Sequence, residues 1–125
     1  MGRKKLFACE INFDEEQPIK SKLLSMFSTN NIVNCFNENN VDSYSEVYDY
    51  PNVKMLFKDD ELINTINSFY NNSLNITLTA KAMFLHRNTL NYRLDKIKKI
   101  IGFDIRKFED AVTIHNLIVI HDMLY

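Results

Sequence analysis

Between Phe108 and Leu124 the chain carries Phe108, Ala111, Val112, Ile114, an unbroken run Leu117–Ile120, then Met123 and Leu124. At helical spacing these residues make a helix that is apolar on nearly every side. Such a helix must sit at the centre of a core or against another chain, because no face of it is suited to water. The remainder of the sequence therefore has to wrap around it. With only two Gly and two Pro in 125 residues, a turn-rich sandwich or barrel is disfavoured, and long regular structure, mostly helix, is expected. An apolar fraction of 46% with 12% aromatics is enough for a packed core, in one domain or two very small ones.

Upstream the pattern is mixed. Residues 5–13, Lys-Leu-Phe-Ala-Cys-Glu-Ile-Asn-Phe, alternate loosely and read as a strand. Asp14, Glu15, Glu16 and Pro18 look like a helix entrance, followed by Ile19, Leu23, Met26 and Phe27 at helical spacing. Residues 31–36 form a second candidate strand. From 37 to 52 the chain is polar and Asn-rich, a loop or linker with a short strand around Val47, and periodicity leaves Val53–Phe57 open between strand and helix. The expected class is α+β: a small α/β segment over residues 1–58, then a mainly helical bundle over 59–125.

Within that bundle Leu62, Ile63, Ile66, Phe69 and Tyr70 mark a helix that opens on acids and ends at Asn71-Asn72. A short helix follows, with Thr77 as its candidate N-cap and Leu78, Ala80 and Met83 along it. After a break at Phe84-Leu85-His86, Leu90, Leu94, Ile97 and Ile101 define a longer helix closed by Gly102. This is the layout of a helix-turn-helix. Ala80 is the small residue that lets the two helices approach, Met83 and Leu85 flank the turn, and Leu90 and Leu94 anchor the second helix. Phe84 stands at the turn position often filled by Gly, so the turn must be made without a residue that favours the left-handed conformation. With Leu90 and Leu94 inward, the opposite side displays Arg87, Asn88, Asn91, Tyr92 and Asp95. Arg and Asn carry the forked donors and acceptors that match guanine and adenine edges in the major groove, and the first turns of a helix suit end-on insertion.

Charge is distributed accordingly. The chain carries a net −1, with 7 basic and 10 acidic residues over 1–60 but 8 basic and 6 acidic over 61–125. All eight of those basic residues lie between Lys81 and Lys107, where only Asp95 and Asp104 oppose them. A local excess of this kind suits an anion-binding surface, although a solvated helix face gives the same count.

The stretch Ala80-x-x-Met83-x-Leu85-His86-Arg87-Asn88-Thr89-Leu90-Asn91-Tyr92-Arg93-Leu94-x-x-Ile97, followed by Gly102-Phe103-Asp104-Ile105, closely resembles the C-terminal helix-turn-helix domain of PucR/CdaR-type bacterial transcriptional regulators. The resemblance extends over about residues 60–124. It implies a Fis-like helical domain that binds double-stranded DNA, usually as a homodimer, and controls genes of small-molecule catabolism. By matching positions, His86, Arg87, Asn88, Asn91 and Tyr92 fall on the exposed start of the recognition helix, while Thr77, Thr79, Lys81, Thr89 and Lys96 are placed for phosphates. For His86 a helix-capping role competes with DNA contact, and Arg93 could instead pair with Asp95, Asp104 or a backbone carbonyl. Such regulators carry long upstream sensory regions. The sixty or so residues before the match fit a fragment, a reduced relative, or the tail of a shortened α/β sensory domain, the last two being favoured.

Other function classes find little support. Cys9 and Cys35 lack metal-like spacing and read as reduced thiols. His115 and His121, six apart, do not share a helix face, so no zinc site is expected. No nucleophile–base arrangement, phosphate-cradling Gly loop or carboxylate dyad stands out, and neither an enzyme nor a cofactor is expected. The basic N-terminus lacks a signal peptide's apolar run and no segment approaches the ~18 apolar residues of a membrane span, so a soluble cytoplasmic protein is expected. The competing function is a helical protein-interaction module that has lost DNA binding, for which the net negative charge speaks. The effector is not legible.

Overall fold

The computed structural model describes residues 18–27 and 45–125. Among these residues the helices longer than one turn are α1 (Pro18–Phe27), α2 (Pro51–Lys58), α3 (Asp60–Asn71), α4 (Ile76–Ala82), α5 (Arg87–Ile101) and α6 (Phe108–Leu124). The expected α+β class is corrected, since no strand occurs among the described residues. Val53–Phe57 is helical. Pro51 at the first helical position supplies a preset φ, and Val53 and Leu56, three apart, are both fully buried; a strand would split them between its two faces. Val47, the other candidate strand, lies in helical residues 45–47 and is also fully buried. The strands expected at 5–13 and 31–36, and the acids Asp14, Glu15 and Glu16 ahead of α1, lie outside the described residues.

The core runs without interruption from Leu23 and Phe27 through Val53, Leu56, Leu62, Ile66 and Phe69 to the buried faces of α5 and α6. Helix α6 buries one side in the core, where Ala111, Thr113, Ile114, Leu117, Ile118 and Ile120 are all buried and α1 packs along it, while Phe108, Val119 and Met123 stay exposed. Helices α2, α3 and α4 each pack on α5. Buried or half-buried polar side chains fasten the layers by finding backbone carbonyls. The Tyr48 hydroxyl donates to the Leu117 carbonyl at 2.7 Å, and the Tyr70 hydroxyl to the Ala111 carbonyl at 2.7 Å. Asn116 Nδ2 donates to the Phe27 carbonyl at 2.6 Å. Asn52 Nδ2 donates to the Ile100 carbonyl at 2.7 Å, satisfying one of the carbonyls left open at the end of α5.

Local signals set the helix ends. Asp59 caps α3 by accepting the Leu62 N–H at 3.1 Å. Gly102, at φ +85°, closes α5 with its N–H on the Lys98 carbonyl. Two further helices end in paired turn bonds made without glycine. After α3, Leu74 N–H reaches the Phe69 carbonyl and Ser73 N–H the Tyr70 carbonyl, with Ser73 and Leu74 at φ +58° and +59°. After α4, Leu85 N–H reaches the Ala80 carbonyl at 2.8 Å and Phe84 N–H the Lys81 carbonyl at 3.2 Å. Phe84 itself takes the left-handed conformation, φ +56°, with its side chain 95% exposed.

A left-handed non-glycine residue costs roughly 1–2 kcal/mol, whereas glycine gives back about 0.4–1 kcal/mol through the freer unfolded chain. Phe84→Gly should therefore stabilise the fold by about 0.5–1 kcal/mol, read as a higher urea midpoint at unchanged m-value. A lower midpoint would mean that the phenyl ring makes a stabilising contact outweighing the strain.

Candidate nucleic-acid interface

Helices α4 and α5 with the turn between them form the helix-turn-helix. Helix α4 starts one residue earlier than Thr77 and is capped by Asn75, whose Oδ1 accepts the Leu78 N–H at 2.9 Å. Thr77 is thus an exposed first-turn residue, not the cap. Ala80 is buried against α5 as expected, and Met83 and Leu85 are half-buried beside the turn. Thr79 is corrected as a phosphate candidate: it is fully buried and its hydroxyl donates to the Asn75 carbonyl at 2.7 Å, which leaves no surface for a ligand.

Helix α5 is divided cleanly. Leu90, Leu94, Ile97, Ile100 and Ile101 face the core. His86, Arg87, Asn88, Thr89 and Tyr92 are exposed at its beginning, and Asn91 is half-buried at the edge of that surface. His86 is the N-cap, its Nδ1 accepting the Asn88 N–H at 3.0 Å. In the neutral ring that bond leaves the proton on Nε2, a donor on an exposed side chain. No acid occupies the first turn of α5; Arg87 stands there instead, at the positive end of the helix dipole, where an anion is attracted and a cation is disfavoured.

The basic residues sort into two groups. Arg93 does not meet Asp95, Asp104 or a backbone carbonyl. Its guanidinium reaches Glu61 at 3.1 Å and the Thr65 hydroxyl at 3.4 Å, tying α5 to α3. Lys96 lies 3.6 Å from Asp59, the residue that caps α3. Arg106 is anchored by Asp95 and Asp104, with Nη2 2.6 Å from Asp95 Oδ1 and Nε 2.8 Å from Asp104 Oδ1. Lys81, Arg87, Lys98, Lys99 and Lys107 are exposed and, among the described residues, make no ion pair.

Arg106 escaped the sequence reading because its partners lie 11 and 15 positions back on α5. Besides Asp95, its Nη1 donates to Asn91 Oδ1 at 3.3 Å. The visible part of the signal was Asp104-x-Arg106 directly after a glycine helix end. Asp104 Oδ1 also accepts the Arg106 N–H at 3.1 Å, and the Asp104 N–H donates to Asp110 at 2.9 Å. Desolvation pushes the Asp104 carboxyl upward, but the hydrogen bonds from the Arg106 side chain and backbone, with the charges of Arg106 and Lys98, bring it below its ordinary 3.8.

Residues 62–118 match the PucR C-terminal helix-turn-helix domain. This segment is similar to PucR-type helix-turn-helix domains. Similar chains include a Bacillus subtilis protein, YxkF, 45% identical over 60 residues that make up 47% of this chain and 20% of that protein. The carbohydrate diacid regulator of Escherichia coli is 35% identical over 54 residues, 43% of this chain and 14% of the regulator. The purine catabolism regulatory protein of Bacillus subtilis is 31% identical over 55 residues, 44% of this chain and 10% of that protein. The match thus spans a fifth or less of these relatives. No solved structure matches. Among the described residues no helix is long and apolar enough to cross a membrane, and no three His, Cys, Asp or Glu side chains are grouped to hold a metal.

The depressed Asp104 sets an acid limb for the helical bundle. A carboxyl with a lowered folded pKa contributes stability above its unfolded value, near 3.8, and that contribution is lost as pH falls through the folded value. Stability should therefore drop on acidification below roughly pH 4, and Asp104→Asn should flatten that drop while lowering stability at neutral pH. Urea midpoints between pH 7 and 3 test this; equal acid slopes in both proteins would remove Asp104 from the account.

Proposed function

We propose that this chain is a DNA-binding transcription regulator that inserts the start of α5 into the major groove. The observation that carries the reading is the contiguous exposed surface of Arg87, Asn88, Thr89 and Tyr92 on a helix whose other face is locked in the core. Among the described residues no side-chain partner competes for Arg87 or Asn88. In this reading Arg87, Asn88, Asn91 and Tyr92 face base edges. His86 adds its Nε2–H, and Thr77, Lys81, Thr89 and Lys96 lie toward phosphates. The regulator names of the two related proteins support the assignment. The pairing of Arg93, Lys96 and Arg106 with acids favours the second reading, an interaction module that has lost DNA binding, because it removes three cations from the field.

Selection of bound sequences from a random duplex pool tests the proposal, with retention on heparin at low salt as the quick discriminator. Arg87→Ala and Asn88→Ala should each cost about 1–3 kcal/mol on the selected site and leave the fold intact, measured by fluorescence anisotropy and circular dichroism. Unchanged affinity in both would remove the assignment. A folded chain that neither heparin nor DNA retains belongs to the second reading.

The active form is proposed to be a homodimer. Phe108, Val112, His115, Val119 and Met123 fall on one side of α6, with Phe108 71% and Met123 59% exposed, and Tyr70 and Leu74 extend that side into a shallow apolar cleft of about 250 Å³. Joining two copies there would present two recognition helices to half-sites about one DNA turn apart. Val112→Glu with Val119→Glu should give a folded monomer in sedimentation that has lost its preference for paired half-sites. A wild-type chain that sediments as a monomer at tens of micromolar would overturn the dimer.

A further inference from the structure

The recognition surface contains one side chain whose hydrogen-bonding polarity is decided by the protein. Asn91 lies one helical turn from Arg87 and one from Asp95 on α5. Its Oδ1 accepts from Arg106 Nη1 at 3.3 Å. The identity of that amide atom follows from chemistry, since a guanidinium can only donate and only the oxygen can accept. Arg106 has little freedom to move away. Its Nε is held by Asp104 at 2.8 Å and its Nη2 by Asp95 at 2.6 Å, so the planar fork is fixed on three nitrogens. Asp104 is held in turn through its N–H by Asp110 on α6, which connects the amide of Asn91 to the frame of the bundle.

We infer that Arg106, which lies beyond the helix-turn-helix, is a positioning residue that fixes Asn91 with its NH2 outward and thereby selects guanine at the base pair Asn91 faces. The inference rests on the DNA-binding reading. An asparagine reads adenine by donating to N7 while accepting from the N6 amino group. Here an adenine amino group, itself a donor, would have to approach an oxygen that already serves a cationic donor. What Asn91 offers freely is the pair of Nδ2 hydrogens, which suit a base with two acceptors on its major-groove edge. Guanine presents O6 and N7 there; adenine presents N7 alone.

The test is the base preference of the full-length chain at each position of its selected site, for the wild type, Asn91→Ala, Arg106→Met and Asp95→Asn. Asn91→Ala identifies the position that depends on the amide. At that position the wild type should favour guanine over adenine by about tenfold. Arg106→Met should reduce this to within about threefold or reverse it, with other positions unchanged. Asp95→Asn, an exposed change that leaves Arg106 on Asp104, should shift the same position in the same direction and carries the test if Arg106→Met does not fold. A purely structural arginine would weaken all sequences alike. Adenine preferred by the wild type at the Asn91-dependent position, no such position at all, or a preference profile unmoved in the variants that fold would overturn the inference and leave DNA binding standing. No sequence selected by the wild type would remove both.

Discussion

The burial of one stripe of α5 determines which residues the start of that helix presents to a partner. Leu90, Leu94, Ile97 and Ile101 are fully enclosed, and each side chain of this kind contributes roughly 1.5–3 kcal/mol when withdrawn from water. Three helices, α2, α3 and α4, converge on that stripe. A helix held along one side by three others cannot rotate about its axis without exposing isoleucine and leucine. The orientation of Arg87, Asn88 and Tyr92 toward solvent is therefore a consequence of core packing, not a property of those residues. The site is polar and exposed; what fixes it is apolar and buried.

The electrostatics follow a similar division of labour. A count of charges along residues 81–107 suggests one broad basic surface, but three of the eight cations serve the fold. Arg93 and Lys96 fasten α5 to the start of α3, and Arg106 joins α5 to the segment that leads into α6. Ion pairs that stay partly in water add modest stability, yet they cancel charge locally. Of those eight, the five that make no ion pair among the described residues lie at the end of α4, the first turn of α5, its last turn and the entrance to α6. Around the start of α5 only Lys81 and Arg87 remain of them, so the field there is narrower than the sequence suggested, and at physiological salt it reaches only about 8 Å.

Periodic signals were legible and long-range ones were not. The stripes of α3, α5 and α6, the break at residues 84–86, the Gly102 helix end and the inward Leu90 and Leu94 all follow from spacing within a single element, and the resemblance carried by residues 80–97 located the domain. The α+β class failed where a short apolar run, Val53–Phe57, could satisfy either period, and tertiary packing on α5 decided for helix. Thr77 was read as a cap because threonine is a good one, but Asn75 is at least as good and sits where the helix begins. Thr79 is placed toward a phosphate by its position in the resemblance, yet it is buried beside Ala80 on the side of α4 that meets its neighbours. The partners of Arg93 are 28 and 32 positions away, and those of Arg106 include Asn91 and Asp95 across a helix end. Pairings at such separations depend on how helices cross, and no local pattern encodes that.

Several helix ends of the bundle obey local preferences. Asp59 caps α3, Glu109 and Asp110 stand in the first turn of α6, and Lys98 and Lys99 stand in the last turn of α5, each favoured by the helix dipole. At the junction of α4 and α5 they are broken together. Phe84 holds a left-handed backbone with its ring in water, Arg87 sits at the positive end of a helix dipole, and Leu78 and Tyr92 leave more than half of their surface exposed. The left-handed pair Ser73–Leu74 is a useful contrast, because Leu74 packs against the core and that packing offsets its strain. Phe84 has no such compensation in the isolated chain. Departures from local rules that are compensated nowhere in the fold tend to coincide with sites that meet something else. Their concentration around the start of α5, the surface already singled out by exposure and charge, is an independent physical reason to place the partner there.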